Sequence, residues 1–233
     1  MTELSLIIPC YNEEKNIKRL FYQVSKLEKK INLEFIIVNN GSKDETKKKI
    51  LIFKKNIKKI KIVNIRNNIG FGNGIKMGIK KATADIICYT HGDLQINLTN
   101  VQKAFKIYEL KKNKNILIKG SRFNRSFFNN FFTISMSFLN TLIFRKYLPD
   151  IHAQPNLFKK KMIKNINFLP DGMILDLYIF LCARIKNYEV VRFKVKFLDR
   201  KHGIGSNETV LRKVKYSLLS IFSSLMIFFN GRF

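Results

Sequence analysis

"LSLIIPCYNEEKNIKRLFYQVSKLEKK", residues 4–30, joins a continuous apolar run to a segment in which apolar residues recur every three or four positions. The run at 4–10 is typical of a strand buried on both faces, and the spacing within 12–30 predicts an amphipathic helix. The same alternation continues with predicted strands at 33–39, 60–65 and 85–90 and predicted helices at 46–55 and 73–82. It predicts right-handed βαβ units and an α/β fold with a mostly parallel central sheet flanked by helices.

Polar residues follow each of the four predicted strands directly, at 11–13, 39–42, 66–68 and 91–93. In a parallel sheet, ligands bind beyond the carboxyl ends of the strands. Because these ends share one rim, we expect the four clusters to form a single binding site there.

The second half of the chain alternates less regularly, and we find neither repeats nor a linker in it. We therefore interpret residues 1–207 as one domain, followed by a basic-to-apolar helical segment at 208–233. The elements expected here are helices at 98–112, 127–145, 175–187 and 208–229, strands at 115–122 and 189–200, and a strand-and-turn unit at 150–159.

The composition indicates a packed and very basic protein. The 233 residues are 46% hydrophobic, which argues against general disorder, and 44 Lys and Arg oppose 16 Asp and Glu. A formal net charge of +28 favours phosphate-bearing partners, either nucleic acid or an anionic membrane surface, although much of it is typical of a Lys- and Asn-rich composition. Three widely separated cysteines and no basic region at the N-terminus favour a reducing cytoplasm without a signal peptide.

The glycine-rich turn at 67–78, "NNIGFGNGIKMG", does not complete the dinucleotide fingerprint G-x-G-x-x-G in any frame. Asn39 and Asn40, not an acid, stand at the end of the second strand, and a Walker A lysine pattern is absent from the sequence. We therefore exclude a nicotinamide or flavin site and expect the glycines to permit close backbone approach to a phosphate or ribose.

Seven segments in order resemble family 2 glycosyltransferases with the GT-A fold, which combines a Rossmann-like nucleotide-binding half with an acceptor-side half. The resemblance extends to the dolichyl- or polyprenyl-phosphate sugar synthases and their bacterial polysaccharide-cluster relatives, and it covers residues 4–206. The segments are "LSLIIPCYNEEKNI", "FIIVNNGSKDET", "NIGFGNGIKMGI", "ADIICYTHGDLQ", "IKGSRFNRS", "DIHAQPNLF" and "LDLYIFLCARIKNYEVVRFKVKFLDRKHGIGS".

The resemblance implies a sugar transferred, with inversion, from a nucleotide-diphosphate donor, assisted by Mg²⁺ or Mn²⁺ on the diphosphate. Asp93, at the tip of a strand, matches the acid that holds the metal, and Gln95 matches a further metal contact. One carboxylate with phosphate oxygens and water suffices for magnesium. The alternative for Asp93 is a loop acid that caps the helix near Asn97.

Further residues match the family by position. Arg122 and Arg125 match catalytic arginines that face phosphate, which suits the planar guanidinium. The residues that match nucleotide-sugar contacts are Pro9, Tyr11, Glu13, Asn40, His91, Gly92, Arg200 and Lys201. Two alternatives remain open. Glu13 could serve to complement the dipole of the following helix instead of contacting the nucleotide. Arg200 and Lys201 could be solvated surface charges instead of part of a mobile loop over the diphosphate.

Three positions depart from the family pattern. Asn39 and Asn40 replace a pair of acids. The nucleotide base would therefore donate its hydrogen bond to an amide carbonyl instead of a carboxylate. His91 replaces the first Asp of Asp-x-Asp; an imidazole suits manganese better than magnesium, or it contacts ribose or phosphate instead.

The acceptor implied by the resemblance is a polyprenyl phosphate or a glycan, in cell-surface polysaccharide or glycolipid synthesis. A phosphate acceptor needs no general base, whereas an alcohol needs one, for which Asp150 and Asp176 are candidates; Asp176 is equally a core acid paired with an arginine. The basic-to-apolar segment from Arg212 predicts peripheral binding to the inner face of the cytoplasmic membrane, the alternative being packing on protein.

A different class of function is a catalytically inactive GT-A-like module that binds nucleotide or RNA through the basic surface. That alternative predicts metal-independent binding that weakens steeply with salt. The sequence contains no recognisable base-stacking motif, so we do not expect nucleic acid to be the partner.

Overall fold

A computed structural model describes residues 2–111, 114–124, 126–200, 202 and 210–230. Arg125 and Lys201, two of the predicted site residues, lie outside the described residues. Within them, seven strands form one sheet: β1 (Leu4–Cys10), β2 (Leu33–Asn40), β3 (Ile60–Ile65), β4 (Ile86–Tyr89), β5 (Ile116–Phe123), β6 (Asn156–Lys159) and β7 (Glu189–Lys196).

The strand order is β3-β2-β1-β4-β6-β5-β7. β1 pairs in parallel with β2 and β4, β2 pairs in parallel with β3, and β5 pairs in parallel with β7. β6 alone among the described strands runs antiparallel, between β4 and β5. The predicted α/β fold with a mostly parallel sheet is confirmed, and the inserted β6 joins its two halves.

Helices cover both faces of the sheet: α1 (Ile17–Glu28), α2 (Thr46–Phe53), α3 (Phe71–Lys81), α4 (Thr99–Leu110), α5 (Phe127–Phe144), α6 (Leu175–Ile185) and α7 (Val210–Asn230). Side chains of β1 alternate between the faces, as a doubly buried strand requires. Leu6 and Ile8 pack with α1, α2 and α4, whereas Ile7 packs with α3 and α6. The elements agree closely with those predicted from sequence.

The main difference in the first half is the start of α1, which begins at Ile17 instead of residue 12. Residues 11–16 form a turn, in which Asn12 has φ 53° and the backbone N of Glu13 donates to Thr46 Oγ1 at 2.8 Å. This bond fastens the segment after β1 to the start of α2, so that Glu13 lies at the rim of the sheet rather than within a helix.

The glycines at the start of α3 and within it approach protein, and their expected approach to a phosphate or ribose stays a prediction. A Cβ at Gly70 would lie 2.3 Å from the carbonyl oxygen of Asp171, and a Cβ at Gly72 would lie 2.1 Å from that of Pro170. A Cβ at Gly78 would lie 2.3 Å from Cγ2 of Ile7 in β1. These glycines therefore let α3 pack tightly between the sheet and the loop before α6.

α7 packs beside α5, where the rings of Phe228 and Phe144 have centroids 5.9 Å apart. Within the described residues, neither helix has the length and hydropathy needed to span a bilayer. The boundary predicted at 207/208 falls in residues 203–209, outside the described part, and stays a prediction.

Candidate active site at the strand ends

The four polar clusters predicted from the sequence meet at one rim of the sheet. β1 lies between β2 and β4, so the residues that follow these three strands are neighbours. The cluster after β3 reaches the same rim, because Asn40 Nδ2 lies 3.4 Å from Asn68 Oδ1. The crevice formed there is the place where an open α/β sheet binds its ligand.

Asp93 lies buried just beyond β4 and is held by two different groups. Its Oδ1 accepts a hydrogen bond from the backbone N of Gln95 at 3.1 Å, and its Oδ2 lies 2.7 Å from Nη2 of Arg200. Asp93 does not cap the following helix, since Asn97 Oδ1 accepts from the N of Thr99, the first residue of α4. The carboxylate therefore faces a cation in the crevice.

Glu13 lies on the other side of the same cation. Its Oε1 is 3.4 Å from Nη1 of Arg200, and its Oε2 accepts from Asn16 Nδ2 at 2.5 Å. Burial raises the pKa of the Glu13 carboxyl to about 7; the Asn16 bond opposes this rise, the charge of Asp93 adds to it, and Arg200 opposes it. One guanidinium thus bridges two buried carboxyl groups from the ends of β1 and β4.

Gln95 positions the segment that carries Arg200. The backbone N of Leu198 donates to the Gln95 O at 2.9 Å, and Gln95 Nε2 donates to the Leu198 O at 3.2 Å. The amide nitrogen of Gln95 is therefore used in anchoring the segment that follows β7. Its amide oxygen is the atom of this side chain that could contact a metal.

Asn40 lies in the crevice at the end of β2, beside the turn that leads into α3. Its Nδ2 donates to the Gly70 O at 3.1 Å, while its buried Oδ1 has no hydrogen-bond partner among the described residues. Buried polar atoms are nearly always paired, so an orphaned carbonyl oxygen suits a ligand donor. Tyr11 is exposed at the same rim, and Pro9 is buried beneath it, 3.0 Å from where a Cβ of Gly74 would lie.

His91 packs against an aromatic ring, with its centroid 4.5 Å from that of Phe71. Burial lowers the pKa of the His91 imidazole, and the charges of Asp93 and Asp176 oppose this effect. A Cβ at the neighbouring Gly92 would lie 2.7 Å from Cys10 Sγ. Gly92 therefore lets the ends of β1 and β4 come together.

A second arginine–carboxylate pair joins the end of β5 to the turn before β6. The backbone N of Arg122 donates to Asp150 Oδ2 at 2.9 Å, and its side chain binds Asp150 Oδ1 through Nε at 2.9 Å and Nη2 at 2.5 Å. Arg192 also lies 3.6 Å from Asp150. The Arg122 side chain, predicted to face phosphate, is thus engaged by a carboxylate in this structure.

Asp176 is a core acid, but its partners are not arginine. Its Oδ1 accepts from the Tyr89 hydroxyl at 2.7 Å and from Asn156 Nδ2 at 3.4 Å, and its Oδ2 lies 3.3 Å from His152 Nδ1. Burial raises the pKa of the Asp176 carboxyl, but the His152 bond and the charge of Lys119 outweigh it and hold that pKa below its usual value.

The sequence model for "Glycosyl transferase family 2" matches residues 5–167, which is more than half of the chain. The chain belongs to this family. It is a glycosyltransferase, and the matched residues include the crevice residues Glu13 and Asp93.

Relatives of this glycosyltransferase differ widely in length. An uncharacterized protein of Methanocaldococcus jannaschii is 27% identical over 93% of the chain and 98% of its own length. A dolichyl-phosphate beta-glucosyltransferase of Trichomonas vaginalis is 29% identical over 70% of the chain. The chain spans only 55% of that enzyme, and 30% of another relative.

Solved structures with the same fold include glucosyl-3-phosphoglycerate synthase from Mycobacterium tuberculosis, in complex with Mn²⁺, UDP and glucosyl-3-phosphoglycerate. Its TM-score is 0.73 with 14% sequence identity, covering 97% of this chain and 80% of that one. At this identity the likeness shows the GT-A fold that the sequence predicted.

Two residues near Asp150 and Asp176 in this glycosyltransferase, Lys119 and His152, were not predicted from the sequence. Lys119 is fully buried, and its Nζ donates to the Ala153 O at 2.8 Å and to Asn156 Oδ1 at 2.9 Å. The position of Lys119 inside the apolar run of β5 is the sequence feature that could have marked it as a buried polar residue. Nothing in the local sequence distinguishes His152, because its partner Asp176 lies on a different element.

Proposed function

We propose that this glycosyltransferase transfers a sugar, with inversion and with the assistance of a divalent metal, from a nucleotide-diphosphate donor to a lipid-phosphate or glycan acceptor. The observation that supports this most is the Asp93 carboxylate, buried at the end of β4 and already paired with a cation. A donor diphosphate carries negative charge that grows as the sugar leaves. A crevice that joins carboxylates through a cation is suited to a diphosphate bound with a metal.

The residues present fit a magnesium or manganese ion. Asp93 offers one carboxylate and Gln95 an amide oxygen, and no cluster of three or more His, Cys, Asp or Glu suited to a metal occurs among the described residues. A metal held by one or two protein oxygens and by substrate phosphates has this donor set. When bound, the ion would supply positive charge to the leaving diphosphate.

The remaining roles belong to the chain's own residues. The Asn40 carbonyl, with its buried Oδ1 unpaired, would accept a hydrogen bond from the base, and Tyr11 would stack on it. Glu13 would accept from the base or ribose, and Arg200 would turn from Asp93 to the diphosphate. His91, with its pKa lowered by burial, would meet ribose or phosphate as a neutral imidazole.

We further propose that the enzyme works in cell-surface polysaccharide or glycolipid synthesis, attached to the inner face of the cytoplasmic membrane. Two apolar helix faces support this. α5 exposes Phe127, Phe131, Ile134, Phe138 and Leu142, and α7 exposes Leu218, Phe222, Met226 and Phe229. We call these nine residues the α5–α7 surface.

Basic side chains accompany the α5–α7 surface. Arg145 and Lys146 are exposed at the end of α5, and Lys215 is exposed in the first turns of α7. Apolar side chains flanked by lysine and arginine suit the plane of an anionic bilayer, where the rings enter the acyl boundary and the cations meet lipid phosphates.

A thermal-shift panel of nucleoside diphosphates, with and without Mn²⁺, tests the donor site. We expect one nucleotide to stabilise the protein only when manganese is present, because ligands that bind the folded state raise its melting temperature. Asp93→Asn should abolish the manganese-dependent part. The matched control is Asp85→Asn, an exposed acid at the opposite end of β4, which should leave the shift unchanged. A shift that survives in Asp93→Asn contradicts the proposal.

A further inference from the structure

Transfer to a hydroxyl group requires a base, and the acceptor side of the crevice offers three candidate groups: Asp150, His152 and Asp176. The negative charge of Asp150 is balanced by arginine. Both of its oxygens bind Arg122, and Arg192 lies nearby. Burial raises the Asp150 pKa, but the charge of Arg122 and its hydrogen bonds bring that pKa below its ordinary value. A carboxylate held in this way is a poor proton acceptor.

Asp176 is unsuited to act as the base for a different reason, because it is inaccessible to a substrate. Its side chain is 0% exposed, and its oxygens are engaged with Tyr89, Asn156 and His152. An acceptor molecule therefore cannot reach it. The side chain of His152 is 28% exposed, which makes it the group of this pair that a substrate can contact.

The sheet register places His152 at the same rim as Asp93. Asn156 of β6 pairs with Tyr89 at the end of β4, and the two strands are antiparallel. The residues before Asn156 therefore run beyond the end of β4, alongside residues 90–93. Aromatic contacts link the same groups, since the Phe71 ring is 4.5 Å from that of His91 and 6.3 Å from that of Tyr89, whose hydroxyl binds Asp176.

Buried polar contacts fix the turn that carries His152. Lys119 donates to the Ala153 O and to Asn156 Oδ1, on either side of Gln154. Gln154 is itself fully buried, and both polar atoms of its amide lack a hydrogen-bond partner among the described residues. The Lys119 contacts hold His152 in a fixed position at the rim, as a side chain that acts on a substrate requires.

The pair formed by Asp176 and His152 also sets the imidazole tautomer. An ionised carboxylate only accepts hydrogen bonds, so the neutral imidazole donates through Nδ1 across the 3.3 Å contact. Nε2 then carries the lone pair that can take a proton. A buried aspartate that orients a histidine in this way also stabilises the imidazolium that forms.

We propose that His152, oriented by Asp176, is the general base for a sugar hydroxyl, so that the acceptor is a glycan or glycolipid rather than a lipid phosphate. This inference rests on the proposed donor function. The hydroxyl proton passes to His152 Nε2 while its oxygen bonds to C1 of the donor sugar. The bond from C1 to the diphosphate oxygen breaks, and its electron pair leaves with the nucleoside diphosphate.

Two classes of acceptor probe test the assignment, each with the nucleotide sugars that carry the base selected by the manganese-dependent thermal shift. Octyl β-glucoside and octyl β-galactoside present hydroxyls, and citronellyl phosphate presents an ionised oxygen. We expect release of nucleoside diphosphate with a glycoside, and His152→Gln should slow it by roughly 10²- to 10⁴-fold, as loss of a general base does. The same variant should keep the wild-type thermal shift, since it leaves the donor crevice intact.

Nitrogen-15 NMR of the histidine rings supplies a readout that needs no acceptor. We expect the neutral His152 ring to be protonated at Nδ1 and bare at Nε2, with Asp176→Asn changing that distribution. Turnover with citronellyl phosphate alone, a His152→Gln rate within threefold of wild type, or a proton on Nε2 would each overturn the inference. Absence of any nucleotide shift would instead count against the proposed donor function, and the ring tautomer would still decide the role of His152.

Discussion

Arg200 links the two buried acids of the crevice, and its charge explains how both carboxyl groups are accommodated there. Its two terminal nitrogens reach Glu13 Oε1 and Asp93 Oδ2. Two neighbouring buried carboxyl groups disfavour each other's ionisation, which an intervening positive charge relieves. The guanidinium thus supplies positive charge between the two carboxyl groups.

Replacing Arg200 by Gln should expose this role. We expect Arg200→Gln to lower the free energy of unfolding by about 1–2 kcal/mol, the order of a hydrogen-bonded charge contact. Manganese alone should then stabilise the variant more than the wild type, because it no longer competes with a guanidinium. Thermal melts with and without manganese measure this, with Arg145→Gln, an exposed arginine, as the control. Equal manganese shifts would contradict the expectation.

Another buried acid, Glu34, stabilises the opposite end of the sheet. Its Oε1 accepts from Ser5 Oγ at 2.6 Å and from the Thr83 N at 2.6 Å, and its Oε2 pairs with Lys61 at 2.6 Å. Burial alone would raise the Glu34 pKa, but the bonds from Lys61, Ser5 and Thr83 lower it to about 2. The Glu34 carboxyl group is therefore ionised in the folded protein at neutral pH.

Glu34→Gln should destabilise the protein by about 2 kcal/mol at pH 7, because charge-assisted bonds are lost. Glu34 has a lower pKa folded than unfolded, so its contribution is present above an unfolded pKa of about 4.3 and is lost as pH falls towards about 2. Urea denaturation at pH 7 and pH 3 should show the difference between variant and wild type shrinking. A difference independent of pH would contradict the assignment.

Individual site residues differ in how far the sequence could predict them. Glu13 and Asp93 follow predicted strands directly, so their shared rim could be predicted from the pattern of apolar runs. The pairing of Arg122 with Asp150, and of Asp176 with His152, joins residues on separate elements. Such contacts depend on the path of the chain between β5 and α6, which apolar periodicity does not specify.

At the scale of elements, α3 is fixed by backbone contacts that require glycine. The approach of Gly72 to the Pro170 O leaves no room for a methyl group, and the N of Asn73 donates to the Asp171 O at 2.8 Å. Lys76 adds an ion pair with Asp171. Together these contacts tie the start of α3 to the loop that precedes α6.

Gly72→Ala should therefore cost about 1–3 kcal/mol of unfolding free energy, since backbone at both sides of the contact must shift. Gly172→Ala in the same loop is the matched control, because a Cβ there meets nothing within 4 Å. Chemical denaturation of both variants provides the comparison. If both change stability by the same amount, the contact does not have the assigned importance.

β6 is the element whose direction the sequence did not reveal. Its four residues were predicted as part of a strand-and-turn unit, but the apolar pattern is the same for parallel and antiparallel strands. Pairing with β4 and β5 decides the direction and depends on contacts far apart in the chain. This direction has consequences for function, since it brings residues 150–155 to the rim.

For the whole molecule, the excess of basic residues and the α5–α7 surface together predict lipid binding. The charge of +28 alone did not select a partner, because lysines on solvated faces contribute to it as well. The exposed rings of Phe131 on α5 and Phe222 on α7 supply the second requirement. Two signals of this kind give stronger membrane attachment than either one.

We expect the wild type to float with vesicles that contain anionic lipid and to remain at the bottom of the tube with neutral vesicles or at high salt. The double variant Phe131→Gln/Phe222→Gln should lose at least tenfold in binding. Ile52→Gln, which removes an exposed apolar side chain from α2, is the control and should bind as the wild type does. Equal flotation of all three proteins would show that the α5–α7 surface is not the attachment site.

We propose that Asp93 holds the donor's metal at the end of β4. A crystal structure with Mn²⁺ and the nucleotide selected by thermal shift tests it most directly, because the anomalous signal of manganese locates the ion independently of the protein. We predict manganese bonded to an Asp93 oxygen and to the diphosphate, with Arg200 moved from Asp93 to phosphate. Manganese and nucleotide bound away from Asp93, with the Asp93–Arg200 ion pair intact, would contradict the account.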